Sequence, residues 1–278
     1  MILSATYSDC ELDTCAPILY RGQPEECFRH IHQDGFSGVE LHTDDIGKFD
    51  ASYLKKLLNL YDLRLTSVGT GLLRQVYGLS LTSDDEGCRR GAVCKLNEYI
   101  DFASCFDDAV VIIGLLRGKV SEIIEKDCYF KRLSEHLMES DRYAESKHVR
   151  LGLEMINRYE ADTFNNVREG MAYLEKSGLR STGIHLDSYH MNIEEADIQK
   201  AIKAAAPMLV HFHFADNDGY YPGHGHLDFD EILKILNEVS YSGVIAVEAM
   251  PKPYSRLAGK GSAEFLKNMM KEKTDERP

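Results

Sequence analysis

Several large protein classes are excluded by what this sequence lacks. Its seven cysteines are odd in number, scattered, and never form a CxxC pair, so neither a disulfide framework nor a thiolate zinc site is indicated. Reduced thiols of a cytoplasmic protein fit that usage. No apolar run approaches the ~18 to 20 residues that cross a bilayer, and the opening "MILSATYSDC" has neither the basic stretch nor the long apolar stretch of a signal peptide. A soluble, cytoplasmic chain without a membrane partner is expected. Positive charge is scarce: 32 Lys and Arg stand against 45 Asp and Glu, a net charge of −13. Such a surface repels a phosphate backbone, which excludes nucleic acid as a partner. Phosphate-cradling loops of the GxGxxG or GxxxxGK[ST] kind are missing too, and no Pro/Gly/Ser-rich linker divides the chain.

What is present is a regular alternation. At 278 residues and 44% hydrophobic content, the chain is long enough to bury a large core. Short apolar runs read as strands over 2–7, 38–43, 63–68, 109–114, 149–155, 182–187, 209–214 and 243–249. Helical patterns fall at 24–34, 50–60, about 84–106, 127–146, 163–177, 194–206, 229–239 and 262–272. Asp50 and Asp228 stand at N-cap positions, and Gly35 and Gly178 stand where helices end. The tail "KNMMKEKTDERP" reads as a helix end followed by solvated chain. Consecutive parallel strands need helical crossovers, and eight such units close a sheet on itself. The expected fold is a single α/β domain over 1–278, a (β/α)8 barrel, in preference to an open doubly wound sheet.

In such a barrel the chemistry sits at the C-terminal ends of the strands. In the run "LEMINRYE" a carboxylate, Glu154, lies inside an apolar strand, where an uncompensated charge is costly. The next strand ends in Asp187, with His190 three residues on; the following one carries His211 and His213; the last carries Glu248. Four consecutive strands thus bring a carboxylate or an imidazole to one level. Three carboxylates and an imidazole in one place repel each other, and a divalent cation relieves this: Mn²⁺, Mg²⁺ or Co²⁺ for an oxygen-rich set, with Zn²⁺ as a further candidate. His211 and His213 share one facing parity; His213, nearer the strand end, is the preferred ligand and His211 a packed barrel histidine. His185 reads as a satisfied core histidine. His42 and Asp44–Asp45 read as loop polarity, with a substrate contact as the alternative. Arg117 and Lys119, just after the fourth strand, are placed to meet a substrate phosphate or carboxylate, or to be exposed loop cations.

These residues resemble the xylose isomerase-like TIM barrel superfamily, the sugar (phosphate) isomerase/epimerase group that also includes endonuclease IV. The strand-ending Glu followed by N-R-[FY]-E, here "LEMINRYE", and the Asp followed three residues later by His, here "HLDSYHMNIEE", are similar to ketose 3-epimerases of the D-tagatose and D-psicose type. The resemblance implies that Glu154, Asp187, His213 and Glu248 bind the metal and that Glu160 and His190 hold substrate hydroxyls. It also implies that Glu154 and Glu248 act as acid and base on a sugar or sugar phosphate, through an enediolate that the metal stabilises. Homodimers or homotetramers are usual in such a group. One departure stands out: where those epimerases carry a substrate-binding Arg six residues after the metal His, this chain has Gly219 in "HFADNDGYYPG". Aldose–ketose isomerisation, a metal-dependent dehydratase of the inosose or 3-dehydroshikimate type, and a non-catalytic sugar sensor are the alternatives on the same barrel. DNA repair of the endonuclease IV type needs more histidine ligands and a basic face, which the charge opposes.

Overall fold

Strands and helices alternate along the chain, in a computed structural model that describes residues 1–13 and 15–275. The strands are β1 (Ile2–Ser8), β2 (Tyr20–Arg21), β3 (Gly38–His42), β4 (Arg64–Gly69), β5 (Val110–Ile113), β6 (Arg150–Glu154), β7 (Thr182–Asp187), β8 (Leu209–Phe214) and β9 (Val244–Val247). The helices are α1 (Pro24–Asp34), α2 (Ala51–Leu60), α3 (Gly71–Tyr77), α4 (Glu86–Ala103), α5 (Tyr129–Ser146), α6 (Val167–Ser177), α7 (Ser188–Glu194), α8 (Ile198–Ala205), α9 (Phe229–Glu238) and α10 (Ser255–Asp275). All pairings are parallel, and β1 pairs with β9 from Ile2↔Val244 to Ala5↔Val247, which closes the sheet. The result is a single-domain (β/α)8 barrel built from β1 and β3 to β9. No described helix is long and apolar enough to cross a membrane.

Local chemistry explains the frame. Asp50 accepts from the backbone N–H of Ser52 and Tyr53 at 2.7 and 3.0 Å, and Asp228 accepts from Glu231 at 3.0 Å, so both cap their helices as expected. Each helix turns an apolar stripe to the barrel, as with Leu54, Leu57 and Leu58 on α2 or Ile232, Leu233 and Leu236 on α9, all buried. Four departures from the expected elements have physical reasons. The two-residue β2 extends the sheet outside β1, because Arg21 gathers the carbonyls of Leu12, Asp13 and Ala16 and folds that loop back. The helices α3 and α7, seven residues each, are too short to register as periodicity. Finally, α10 begins at Ser255 rather than 262. Its first turns carry Gly259, which weakens the helical signal but lets Tyr20 pack where a Cβ would stand. It also runs on to Asp275, past the expected helix end at 272, so residues 273–275 of the expected solvated tail are helical, and 276–278 lie outside the described residues.

Ends of the chain are tied together beside β1. Asp34 accepts two bonds from Arg256 at 2.7 Å and one from Tyr20 at 2.8 Å, joining α1, α10 and β2 around one buried carboxylate.

Candidate active site

A cavity of about 310 Å³ opens at the C-terminal ends of the strands. Glu154 ends β6, Asp187 ends β7, His213 is next to last in β8, and Glu248 directly follows β9. Barrel register pairs Asp187 with His213, so neighbouring strands present both at one level. The four side chains each offer a ligand atom, and these atoms all lie within 4.8 Å of one another. His213 Nδ1 is the focus: Glu248 Oε2 lies 2.9 Å away, Asp187 Oδ2 3.7 Å and Glu154 Oε1 3.8 Å. The structure therefore gathers the whole quartet that the strand ends suggested.

The motif spacings have local causes. Asp187 Oδ1 accepts from the N–H of Tyr189 and His190 at 2.7 and 3.3 Å, making Asp187 the N-cap of α7 while its Oδ2 faces His213. An Asp three residues before a His is thus a helix cap whose third helical residue turns its ring into the site. Within "NRYE", the buried Asn157 donates to Glu160 Oε1 at 3.0 Å and to His190 Nδ1 at 2.7 Å. Arg158 is clamped by Glu194 through three bonds of 2.7 to 2.8 Å, which ties this loop to α7. Glu160 and His190 both line the cavity, and His190 Nε2 stands 4.0 Å from Glu154 Oε1. At β5, Gly114 leaves room that a Cβ would take from the Glu154 carboxylate.

Electrostatics set the carboxylates apart. Burial and then the charge of Glu248 push Glu154 well above the usual carboxylate range. Burial likewise raises Asp187 to about 7, with Glu248 adding to it. Burial opposes ionisation of Glu248 as well, but the neighbouring His213 outweighs it and holds Glu248 low. His213 itself is raised well above a normal histidine, since Glu248 and Glu40 outweigh its burial. His190 goes the other way, to about 4, because burial penalises its cation. A neutral ring suits Nδ1 accepting from Asn157.

Two neighbours escaped the sequence reading. Glu40, fully buried on β3, sits within 2.7 Å of His42 Nε2 and His211 Nε2 and 2.8 Å of His213 Nε2, with Ser67 Oγ donating at 2.5 Å. Its signal was there: like Glu154, it is a carboxylate inside an apolar strand run, "GVELHT", with the parity of His42. Asn157 stood inside the quoted motif, but nothing local marks an asparagine that reaches a histidine 33 residues on. His42 does line the cavity, over Gly69, where a Cβ would press on its ring at 2.5 Å.

Arg117 requires a correction. Its guanidinium is fully buried and donates to the carbonyls of Gly114, Glu154 and Thr163 at 3.3, 2.8 and 2.9 Å, with Phe164 under it at 5.7 Å. Every bond goes to main chain, so it holds backbone rather than a substrate phosphate or carboxylate. Lys119 is not in the cavity wall either; among the described residues no lysine or arginine lines it. His211 is the packed, bonded barrel histidine expected. His185 is buried as expected, yet neither ring nitrogen finds a partner among the described residues; it packs edge-on against His211 and His213, with ring centres 5.0 and 4.1 Å away.

The donor set fits a divalent ion. Three carboxylates and one imidazole converge without a lysine or arginine among them, and both nitrogens of His213, although close to carboxylates, lack an aligned hydrogen bond.

Fold and site together define a barrel enzyme with a buried carboxylate–histidine centre. Residues 28–269 match the family described as xylose isomerase-like TIM barrel, and this chain belongs to that family. Similar proteins include a probable ketose 3-epimerase of Synechocystis sp., 29% identical over 241 residues (83% of this chain, 79% of that one). An L-ribulose 3-epimerase of Methylomonas sp. is 28% identical over 221 residues, 77% of this chain and 74% of the relative. Among solved structures, the D-psicose 3-epimerase of Clostridium cellulolyticum H10 with D-tagatose superposes with a TM-score of 0.81 over 97% of this chain and 99% of the other; at 20% identity that likeness shows the fold. The chain is an enzyme of the sugar epimerase family.

Proposed function

We propose that this enzyme inverts one carbon of an unphosphorylated ketose, with Glu154 and Glu248 as a pair of acid/base carboxylates beside a divalent cation. The convergence of Glu154, Asp187, His213 and Glu248 within 4.8 Å carries the reading. These four residues would hold the cation, which when bound supplies Lewis acidity to a carbonyl and its neighbouring hydroxyl. Glu154 and Glu248 face the cavity from different strands; the ionised one takes the proton beside the carbonyl, the protonated one gives its own proton on the opposite face, and exchange with solvent resets the pair. Glu160 and His190, joined through Asn157, stand where sugar hydroxyls would be held. Five carboxylates (Glu154, Glu160, Asp187, Asp218, Glu248) line the cavity without a lysine or arginine among the described residues, a wall that disfavours a phosphate dianion and suits a neutral polyol. The same epimerase chemistry is what the names of the similar proteins describe.

The deciding experiment is proton exchange by NMR in D₂O, using Mn²⁺-loaded and EDTA-treated protein with a panel of free and phosphorylated ketoses. Metal-dependent deuterium at C3 of a free ketose, with the C3 epimer appearing, is the expected result. Exchange confined to C1 means aldose–ketose isomerisation. Irreversible loss of 18 daltons from a substrate means a dehydratase.

A further inference from the structure

Glu40 lies below the cavity, outside the four ligand candidates, and is fully buried. Both of its oxygens are taken up. Oε1 meets Nε2 of His42 and of His213 at 2.7 and 2.8 Å, and Oε2 meets Ser67 Oγ and His211 Nε2 at 2.5 and 2.7 Å. An ionised carboxylate only accepts, so each partner meets it best with a hydrogen on the facing atom. A buried charge this deep is retained at a cost that a simple core residue would avoid.

His213 is the partner that matters. With a cation held at the carboxylates the His213 ring keeps one proton and one bare nitrogen, and the partner of the protonated one decides which. The ring of His213 cannot readily turn over, because His185 and His211 pack edge-on against it at 85° and 83°. Nε2 lies 2.8 Å from Glu40 Oε1, within reach though not aligned as a hydrogen bond, and Nδ1 faces Glu248, Asp187 and Glu154. We propose that Glu40 is a positioning residue that keeps the His213 proton on Nε2, and so leaves Nδ1 bare toward the three carboxylates where a cation would be held. This rests on the metal-site reading above. Through its bonds to β4 and β8, Glu40 also locks the strand that carries His213 to the opposite part of the barrel wall.

Equilibrium dialysis of Mn²⁺ against wild type, Glu40→Gln and Ser67→Ala tests this, with the fold of each checked in EDTA by urea denaturation. Glutamine keeps the shape but presents an amide that can donate where a carboxylate only accepts. Glu40→Gln should weaken Mn²⁺ binding about 10- to 100-fold, while Ser67→Ala, which removes a different donor to the same carboxylate, stays near wild type. Unchanged affinity in a folded Glu40→Gln protein overturns the role of Glu40 alone, and so does an equal loss in Ser67→Ala, because general loosening would then explain both. A wild type that binds no Mn²⁺ overturns the metal site itself and this role with it. Should Glu40→Gln not fold, long-range ¹H–¹⁵N spectra of the Mg²⁺-loaded wild type decide: a proton on His213 Nε2 supports the assignment, and one on Nδ1 overturns it.

Discussion

The guanidinium of Arg117 donates to the main-chain carbonyl of Glu154 at 2.8 Å, so a fully buried cation holds the backbone of the residue whose carboxylate faces the cavity. The same side chain reaches Gly114 and Thr163, binding the ends of β5 and β6 to the loop that carries Asn157 and Glu160. Replacing it with methionine, which roughly fills the space, leaves three buried carbonyls without their donor. The expected loss is about 3 to 5 kcal/mol of stability in urea, measured without metal. Preference between a free sugar and its phosphate should not move. A shift in that preference at unchanged stability would restore Arg117 to substrate binding.

Glu154→Gln and Glu248→Gln should each lower turnover by about 10² to 10⁴-fold, the range of a lost general acid or base. Circular dichroism should be unaltered, since glutamine has nearly the same volume. Full activity in either variant removes that residue from proton transfer.

Asn157→Ala breaks the link between Glu160 and His190, leaving His190 Nδ1 without its donor. A loss of about 1 to 3 kcal/mol in transition-state binding follows, or roughly 5- to 150-fold in kcat/KM. Dialysis should still find Mn²⁺ bound. A metal-free variant would show that the loop supports the ligands rather than the substrate.

Gly114→Ala places a methyl group against the Glu154 carboxylate. Turnover should collapse while the melting temperature falls only slightly, because the carboxylate has the cavity to move into. Wild-type kinetics would mean that Glu154 does its work from another position.

A pH test is available away from the centre. Burial opposes ionisation of Asp162, but the N–H groups of Ser121 and Val120, at 2.8 and 2.9 Å, outweigh it and hold its carboxyl below the ordinary value. A depressed folded pKa adds stability that is present above the unfolded value, about 3.9, and is lost as pH falls through the folded one. Asp162→Asn should therefore cost about 1 kcal/mol at pH 7, given its exposed setting, and almost nothing in acid. A cost independent of pH would assign the effect to shape instead of charge.

Sequence pattern located the eight barrel strands because each is a short apolar run whose neighbours must be helical to return the chain in parallel. It located Glu154, Asp187, His213 and Glu248 for a related reason: a charge inside or at the tip of such a run is conspicuous, and the barrel sends all strand tips to one face. Asp50 and Asp228 were equally legible, since a cap acts within its own turn. Arg117 was misread because a cation next to a strand end looks the same whether it faces solvent or three carbonyls.

What the chain alone determined, then, is whatever depends on neighbours a few residues apart: strand periods, helix caps, and the order in which polar residues meet the barrel mouth. Tertiary structure decided the rest. Only folding brings β8 across the barrel to β3, so only there does Glu40 meet His213 over a separation of 173 residues. The same holds for the buried turn of Arg117, the Asn157 bridge and the absence of lysine and arginine from the described cavity wall. Burial raises the electrostatic stake of each such contact, and burial is a property of the folded whole.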